Sequence, residues 1–152
     1  MNKVKILYNN IKALGAYHRK KISLSNMPSF IWLEPTNKCN LKCIMCPNGA
    51  DMVNTKKGNM DFSFYQEVIM QIKPHTSAIT LALGGESLLH PQFFDMVKYG
   101  RENGIKILLN TNATLLNEEK AKLLLDSGIN SISFAFDGFH KEMYEKARVG
   151  AN

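Results

Sequence analysis

The sequence predicts an α/β fold of parallel strands, about four βα units of a barrel that is left incomplete. Three observations carry this. Four compact apolar runs, rich in β-branched or aromatic residues, alternate with stretches whose apolar positions recur every three or four residues. Strand then helix, repeated in that order, calls for parallel strands joined by right-handed crossovers. Residues able to do chemistry also collect just past the carboxyl ends of the runs, the rim where ligands bind in barrels and open α/β sheets alike. At 152 residues the chain suits one domain. Four units do not close a barrel, however, and the last strand would present an open edge. The chain is therefore expected to be incomplete at its C-terminus, as a fragment or a truncated reading frame.

The N-terminal segment differs from the rest in charge. Residues 1–29 hold Lys3, Lys5, Lys12, Arg19, Lys20 and Lys21 and no acid, which accounts for the whole net charge of +6. Val4, Leu7, Tyr8, Ile11 and Leu14 make residues 4–17 an amphipathic helix. A basic helix of this kind faces an anionic partner, nucleic acid or a lipid surface, or it docks on the main body with its lysines solvated. Docking is the commoner outcome, because Trp and clustered aromatics, which would favour either anionic partner, are absent there. Ser25-Asn26-Met27-Pro28 reads as a linker, so residues 1–29 form a basic extension and residues 30–152 the main body. No run reaches the ~20 apolar residues of a membrane span, and residues 1–29 lack a secretory signal. A cytoplasmic, thiol-reducing setting is expected.

Phe30–Leu33 is the first strand, and Glu34-Pro35-Thr36-Asn37 ends it ahead of a cysteine-rich loop. Residues 47–60 have no periodicity and read as loop. Ser63 with Gln66 resembles a capping box that starts a helix with Val68, Ile69 and Ile72 on its apolar side. Ala78–Leu83 is the second strand, ended by Gly84-Gly85-Glu86, and Pro91 suits the first turn of a helix that stops at Gly104. Ile105–Leu109 is the third strand, followed by Asn110-Thr111-Asn112. Asn117 caps the next helix, with Glu118 and Glu119 in its favourable first turn and Gly128 at its end. Ile132–Phe136 is the fourth strand, ended by Asp137-Gly138, and residues 140–148 begin a fourth helix.

All three cysteines, Cys39, Cys43 and Cys46, lie in eight residues with the spacing CxxxCxxC. An odd count cannot pair off internally, and thiolates are strong ligands for soft or borderline metals. Three could hold zinc with one open position. They could equally hold three irons of a [4Fe–4S] cube and leave the fourth iron open. Spacing alone leaves both readings standing, although the lack of a second Cys/His pair weakens zinc. His18, His75, His90 and His140 lie far from the cysteines in sequence and read as structural or exposed.

These residues carry a resemblance. CNLKCIMCPN is similar to the signature loop of the radical S-adenosylmethionine (SAM) enzymes, LALGGESLLHP to their glycine-rich motif, and LLNTNATLL and FAFDGFHKEMYEKARVG to their later segments. The likeness covers roughly residues 30–152 and is greatest to members with a C-terminal SPASM-type domain. It implies a partial (β/α) TIM-like barrel in which Cys39, Cys43 and Cys46 bind a [4Fe–4S] cluster and SAM chelates the open iron. One-electron cleavage of SAM would yield methionine and a 5′-deoxyadenosyl radical that abstracts hydrogen from a substrate, a peptide or small molecule not defined here. The electron would come from an external reductant of the flavodoxin or ferredoxin type.

The resemblance also implies individual roles. Glu86 would accept from the SAM ammonium, Met45 would lie against the adenine, and Arg148 resembles an arginine that helps hold the SAM carboxylate. Asn110, Asn112 and Ser133 are candidates for the ribose and carboxylate. Gly84 and Gly85, lacking Cβ atoms, suit a close backbone approach to ligand or a positive φ. Two positions depart from the family pattern. Ser87 stands where Pro is usual, which loosens the turn. Ala135 stands where a serine would grip the cofactor, and Ser133, two residues earlier on the same strand face, is the expected substitute. The rival readings are a remnant without catalytic competence and a zinc protein using the same three cysteines.

Overall fold

The computed structural model describes residues 3–50 and 52–151. The outermost residues of the 1–29 and 30–152 segments, and Asp51 of the 47–60 loop, therefore lie outside it. The elements in order are α1 (Lys3–His18), β1 (Phe30–Leu33), β2 (Lys42–Cys43), α2 (Phe62–Ile72), β3 (Ala78–Leu81), a 3-10 turn (Ser87–Leu89), α3 (Phe93–Glu102), β4 (Lys106–Thr111), α4 (Glu118–Asp126), β5 (Ser131–Phe134), α5 (Lys141–Ala147) and β6 (Arg148–Val149).

The main sheet has the order β1-β3-β4-β5, all parallel, so the four expected βα units are present in sequence order. Alternation sets its two faces. Ile31, Ile79 and Ile107 share one row and Leu33 and Leu81 the next, because the strands pair in register. That face packs on Tyr65 and Ile69 of α2, Phe93, Met96 and Val97 of α3, and Leu124 of α4, which together form the core. The other face carries Phe30 and Trp32 of β1 and Ser133 of β5, all exposed. A sheet curled toward a barrel but not closed leaves this inner face open.

Helix ends follow the sequence signals in part. Asn117 Oδ1 accepts from Lys120 N at 2.9 Å as an N-cap. Gly104 and Gly128 end α3 and α4 at φ +79° and +77°, the left-handed region that favours glycine. The Ser63 capping box does not form: α2 starts one residue before Ser63, and Asp61 holds the cap position. Pro91 likewise precedes α3, whose N-cap is Gln92. The turn at the end of β3 takes up the residues between.

Two further features were not expected. β2 and β6 form a short antiparallel pair, Cys43 opposite Arg148, which brings the far end of the chain back onto the cysteine loop. Helix α1 forms where periodicity placed it, but its apolar stripe faces solvent. Val4, Leu7, Tyr8, Ile11 and Leu14 are all exposed, whereas Ile6 and Asn9 are buried. Among the described residues none of α1 belongs to the core cluster between the sheet and α2–α4. Among the described residues no helix is long and apolar enough to cross a membrane.

Candidate functional site

Three backbones converge at the carboxyl end of the sheet: the cysteine loop after β1, the glycine turn after β3 and the polar turn after β4. They enclose a cavity of about 360 Å³. Cys39, Cys43, Met45 and Cys46 line it from the loop and Gly84, Gly85 and Glu86 from the end of β3. Asn110, Thr111 and Asn112 line it from β4, Ala135 from the end of β5, and Arg148 from β6. All but one of the site residues expected from sequence meet at this one cavity.

The exception is Ser133. It pairs with Asn110 across the sheet, but it is not part of the cavity wall, which on this strand is Ala135. Two strand residues span about 6.6 Å, so the short serine side chain falls below the rim. On this strand the cavity meets the apolar Ala135 side chain and not the Ser133 hydroxyl.

The glycines serve the protein's own backbone first. A Cβ on Gly85 would collide with the carbonyl oxygen of Thr36 and lie 2.8 Å from that of Lys38. The close approach that requires glycine is thus between the β3 turn and the entry to the cysteine loop, and neither Gly84 nor Gly85 takes a positive φ. Glu86 N donates to Lys38 O at 2.8 Å in the same seam. Gly84 N donates to Glu34 Oε1 at 2.7 Å, and Gly84 O accepts from Asn48 Nδ2 at 2.6 Å. Ser87, in the place of a proline, closes the turn instead of loosening it. Its hydroxyl is buried and donates to Leu81 O at 2.7 Å.

Glu86 is 3% exposed. Its Oε1 accepts from Leu88 N at 3.1 Å and Thr111 Oγ1 at 2.8 Å, and its Oε2 from Asn112 N at 2.8 Å. Among the described residues no Lys, Arg or His forms an ion pair with it. A carboxylate offers about four lone-pair sites, so Oε2 keeps one free. A buried, hydrogen-bonded carboxylate without a counter-ion, on a cavity wall, suits a cationic ligand group.

The cysteines differ in setting: Cys39 is exposed, Cys43 buried and Cys46 between, and all three are free thiols. Leu41 N donates to Cys39 Sγ at 3.5 Å and Asn112 Nδ2 approaches it at 4.0 Å. Arg148 Nη1 reaches Cys43 Sγ at 3.7 Å. Burial pushes the Cys43 thiol above its ordinary range, the Arg148 guanidinium opposes this, and Cys39 and Cys46 add to the rise. Among the described residues no three Cys, His, Asp or Glu side chains close on a point that would hold one metal ion. The three thiols line a shared cavity instead. His90 is structural as expected: Gln92 N donates to Nδ1 at 3.1 Å, so Nε2 carries the proton given to Met60 O at 2.8 Å.

Residues 33–152 match the radical SAM superfamily. The chain belongs to that superfamily. An AdoMet-dependent heme synthase of Methanosarcina barkeri is 31% identical over 127 residues, 84% of this chain and 36% of that protein. A cofactor-modifying protein for tungsten-containing aldehyde ferredoxin oxidoreductase, from Pyrococcus furiosus, is 31% identical over 110 residues, 71% of this chain and 30% of its own. The chain thus spans about a third of the length of these relatives.

Among solved structures, BtrN in complex with AdoMet and 2-DOIA superposes with a TM-score of 0.66 at 26% identity, covering 78% of this chain and 50% of BtrN. Streptococcus suis SuiB bound to S-adenosylmethionine gives 0.70 over 91% of this chain and 32% of SuiB; its 20% identity shows the fold alone. The sheet is accordingly part of the radical SAM (β/α) barrel. Members of the superfamily are enzymes that use a [4Fe–4S] cluster and SAM.

Several residues at the site escaped the sequence reading. Asn48 bridges Asn37 O and Gly84 O at 3.0 and 2.6 Å and so clamps the cysteine loop to the glycine turn. Its only sequence signal is its place two residues after Cys46. In sequence Glu34 marks only a strand end and Asp137 only a turn. The structure pairs Asp137 with Arg148, which holds that arginine at the cavity.

Proposed function

We propose that this chain supplies the cofactor-binding part of a radical SAM enzyme. Cys39, Cys43 and Cys46 would hold a [4Fe–4S] cluster, and the cavity they line would take SAM. When bound, these groups would supply one-electron reductive cleavage of SAM and hydrogen abstraction from a substrate. The chain's own residues orient and enclose. Glu86 accepts from the SAM ammonium through the free site on Oε2, a charge-assisted bond. Asn110, Asn112 and Arg148 face the remaining polar groups, and Met45 offers a polarizable thioether to the adenine. An external one-electron reductant completes the reaction, in a cytoplasmic setting.

The observation that carries this reading is the buried Glu86 carboxylate, without a counter-ion among the described residues, on the same cavity as three free thiols. Thiols spread around a cavity suit a polynuclear centre better than one zinc ion, whose four ligands must meet at a point. Anaerobic reconstitution followed by iron, zinc and sulfide analysis tests it. About four irons and four sulfides per chain are expected, and release of 5′-deoxyadenosine on adding dithionite and SAM. About one zinc with no sulfide would sink the cluster, and a loaded cluster that never cleaves SAM would sink the activity.

A further inference from the structure

Helix α1 lies outside the chemistry above, and its surface is unusual. The five apolar side chains Val4, Leu7, Tyr8, Ile11 and Leu14 are each more than half exposed. At 3.6 residues per turn they fall within about 120° of the helix circumference. On the same wheel Lys3 borders the stripe on one side, and Lys5 and Lys12 border it on the other. The Lys12 ammonium lies 5.2 Å from the centre of the Tyr8 ring, on that border. Arg19, Lys20 and Lys21 continue the positive charge beyond the helix and are exposed.

The protein holds this helix by its other side. Ile6 and Asn9 are buried, and the Asn9 carboxamide makes two hydrogen bonds to the Met27 backbone, at 2.8 and 2.9 Å. The stripe is therefore held outward by a built contact.

Charge indicates what meets it. Residues 1–29 contain six cations and no anion, so nothing in this segment offsets attraction to a uniformly negative surface. A helix in a headgroup plane needs this layout, with apolar side chains in the acyl boundary and lysine stems reaching back to phosphates. We infer that α1 is an interfacial helix that lays its apolar stripe on an anionic lipid surface. Lys3, Lys5 and Lys12 sit at the headgroups and Arg19, Lys20 and Lys21 add long-range attraction.

Co-sedimentation of the chain with extruded vesicles tests this. Binding to equimolar phosphatidylglycerol/phosphatidylcholine vesicles is expected, with little binding to pure phosphatidylcholine. The double variant Leu7→Glu/Ile11→Glu should weaken partitioning at least about tenfold. Lys5→Gln/Lys12→Gln should weaken it roughly fivefold per lysine while leaving the stripe intact. Leu7, Ile11 and Lys5 are exposed and Lys12 is half-buried, so circular dichroism spectra and thermal midpoints should stay close to the parent values. Failure to bind anionic vesicles overturns the inference, and so does equal binding to both vesicle types. Salt-sensitive binding that survives Leu7→Glu/Ile11→Glu also overturns it, since lysines alone then act, as toward a nucleic acid. So does self-association that this variant abolishes without any vesicle binding, since a second copy then covers the stripe.

Discussion

Cys43 and Arg148 are joined twice. Their backbones pair across β2 and β6, and the Arg148 guanidinium stands 3.7 Å from the Cys43 sulfur while paired to Asp137. Main-chain pairing fixes where the arginine starts, and Asp137 fixes where it points. A positive charge held beside a thiolate ligand stabilises the more negative, reduced state of whatever centre that thiolate binds. Arg148→Met should therefore lower the midpoint potential of the reconstituted cluster by roughly 60 mV, a tenfold change in the one-electron ratio. A redox titration followed by electron paramagnetic resonance reads this. An unchanged potential would assign Arg148 to packing alone.

Glu86 links three donors and leaves one acceptor site toward the cavity. Glu86→Gln removes the negative charge and turns an amide donor toward Asn112 N or Thr111 Oγ1. Loss of a charged hydrogen bond costs about 1.5–3 kcal/mol. SAM affinity of the cluster-loaded chain should fall by at least about tenfold, with a lowered thermal midpoint as well. Equilibrium dialysis with labelled SAM measures the first effect and calorimetry the second.

Gly85 admits no side chain, because Thr36 and Lys38 carbonyls occupy the space. Gly85→Ala should destabilise by about 3 kcal/mol, the upper end of overpacking costs, and reduce cluster loading as the cysteine loop shifts. A Cβ on Gly84 would lie 3.1 Å from the Glu34 carboxylate and 4.0 Å from Asn48 Cβ, with no backbone in the way, so Gly84→Ala should cost much less. Urea denaturation of the two variants side by side gives the comparison.

Tyr65 donates its buried hydroxyl to Met96 O at 2.8 Å. Burial raises its phenol well above the ordinary range, with Tyr99 adding to the shift. A group whose folded pKa is raised contributes stability that is complete below the unfolded pKa of about 10 and is lost as pH climbs beyond it. Stability of the parent chain should thus decline above about pH 10. Tyr65→Phe should cost about 1 kcal/mol at neutral pH and flatten that alkaline decline. Denaturation midpoints between neutral and alkaline pH test both parts.

The sheet, its parallel sense and the ligand rim were legible in local signals. Alternation of Ile79 and Leu81, glycine stops at 104 and 128, and the Asn117 cap all act within a few residues. The cysteine spacing is equally local, and it sufficed to nominate a three-thiolate centre. Boundaries were less legible where two signals competed, as when Asp61 rather than Ser63 took the cap of α2.

Tertiary structure decided the relations between distant residues. That Gly85 is required by the Thr36 carbonyl depends on two loops 49 positions apart in sequence lying in one seam. That Ala135 and not Ser133 reaches the cavity depends on where the rim cuts the strand. That Arg148 meets Cys43 depends on an antiparallel pair whose partners are 105 residues apart, a contact no periodicity can announce. The direction of the α1 stripe was also open, because a helical wheel gives the angle between side chains but not which side faces water. The buried Asn9, a polar residue anchored to Met27, settled that, since burying a carboxamide is costly unless its hydrogen bonds are met.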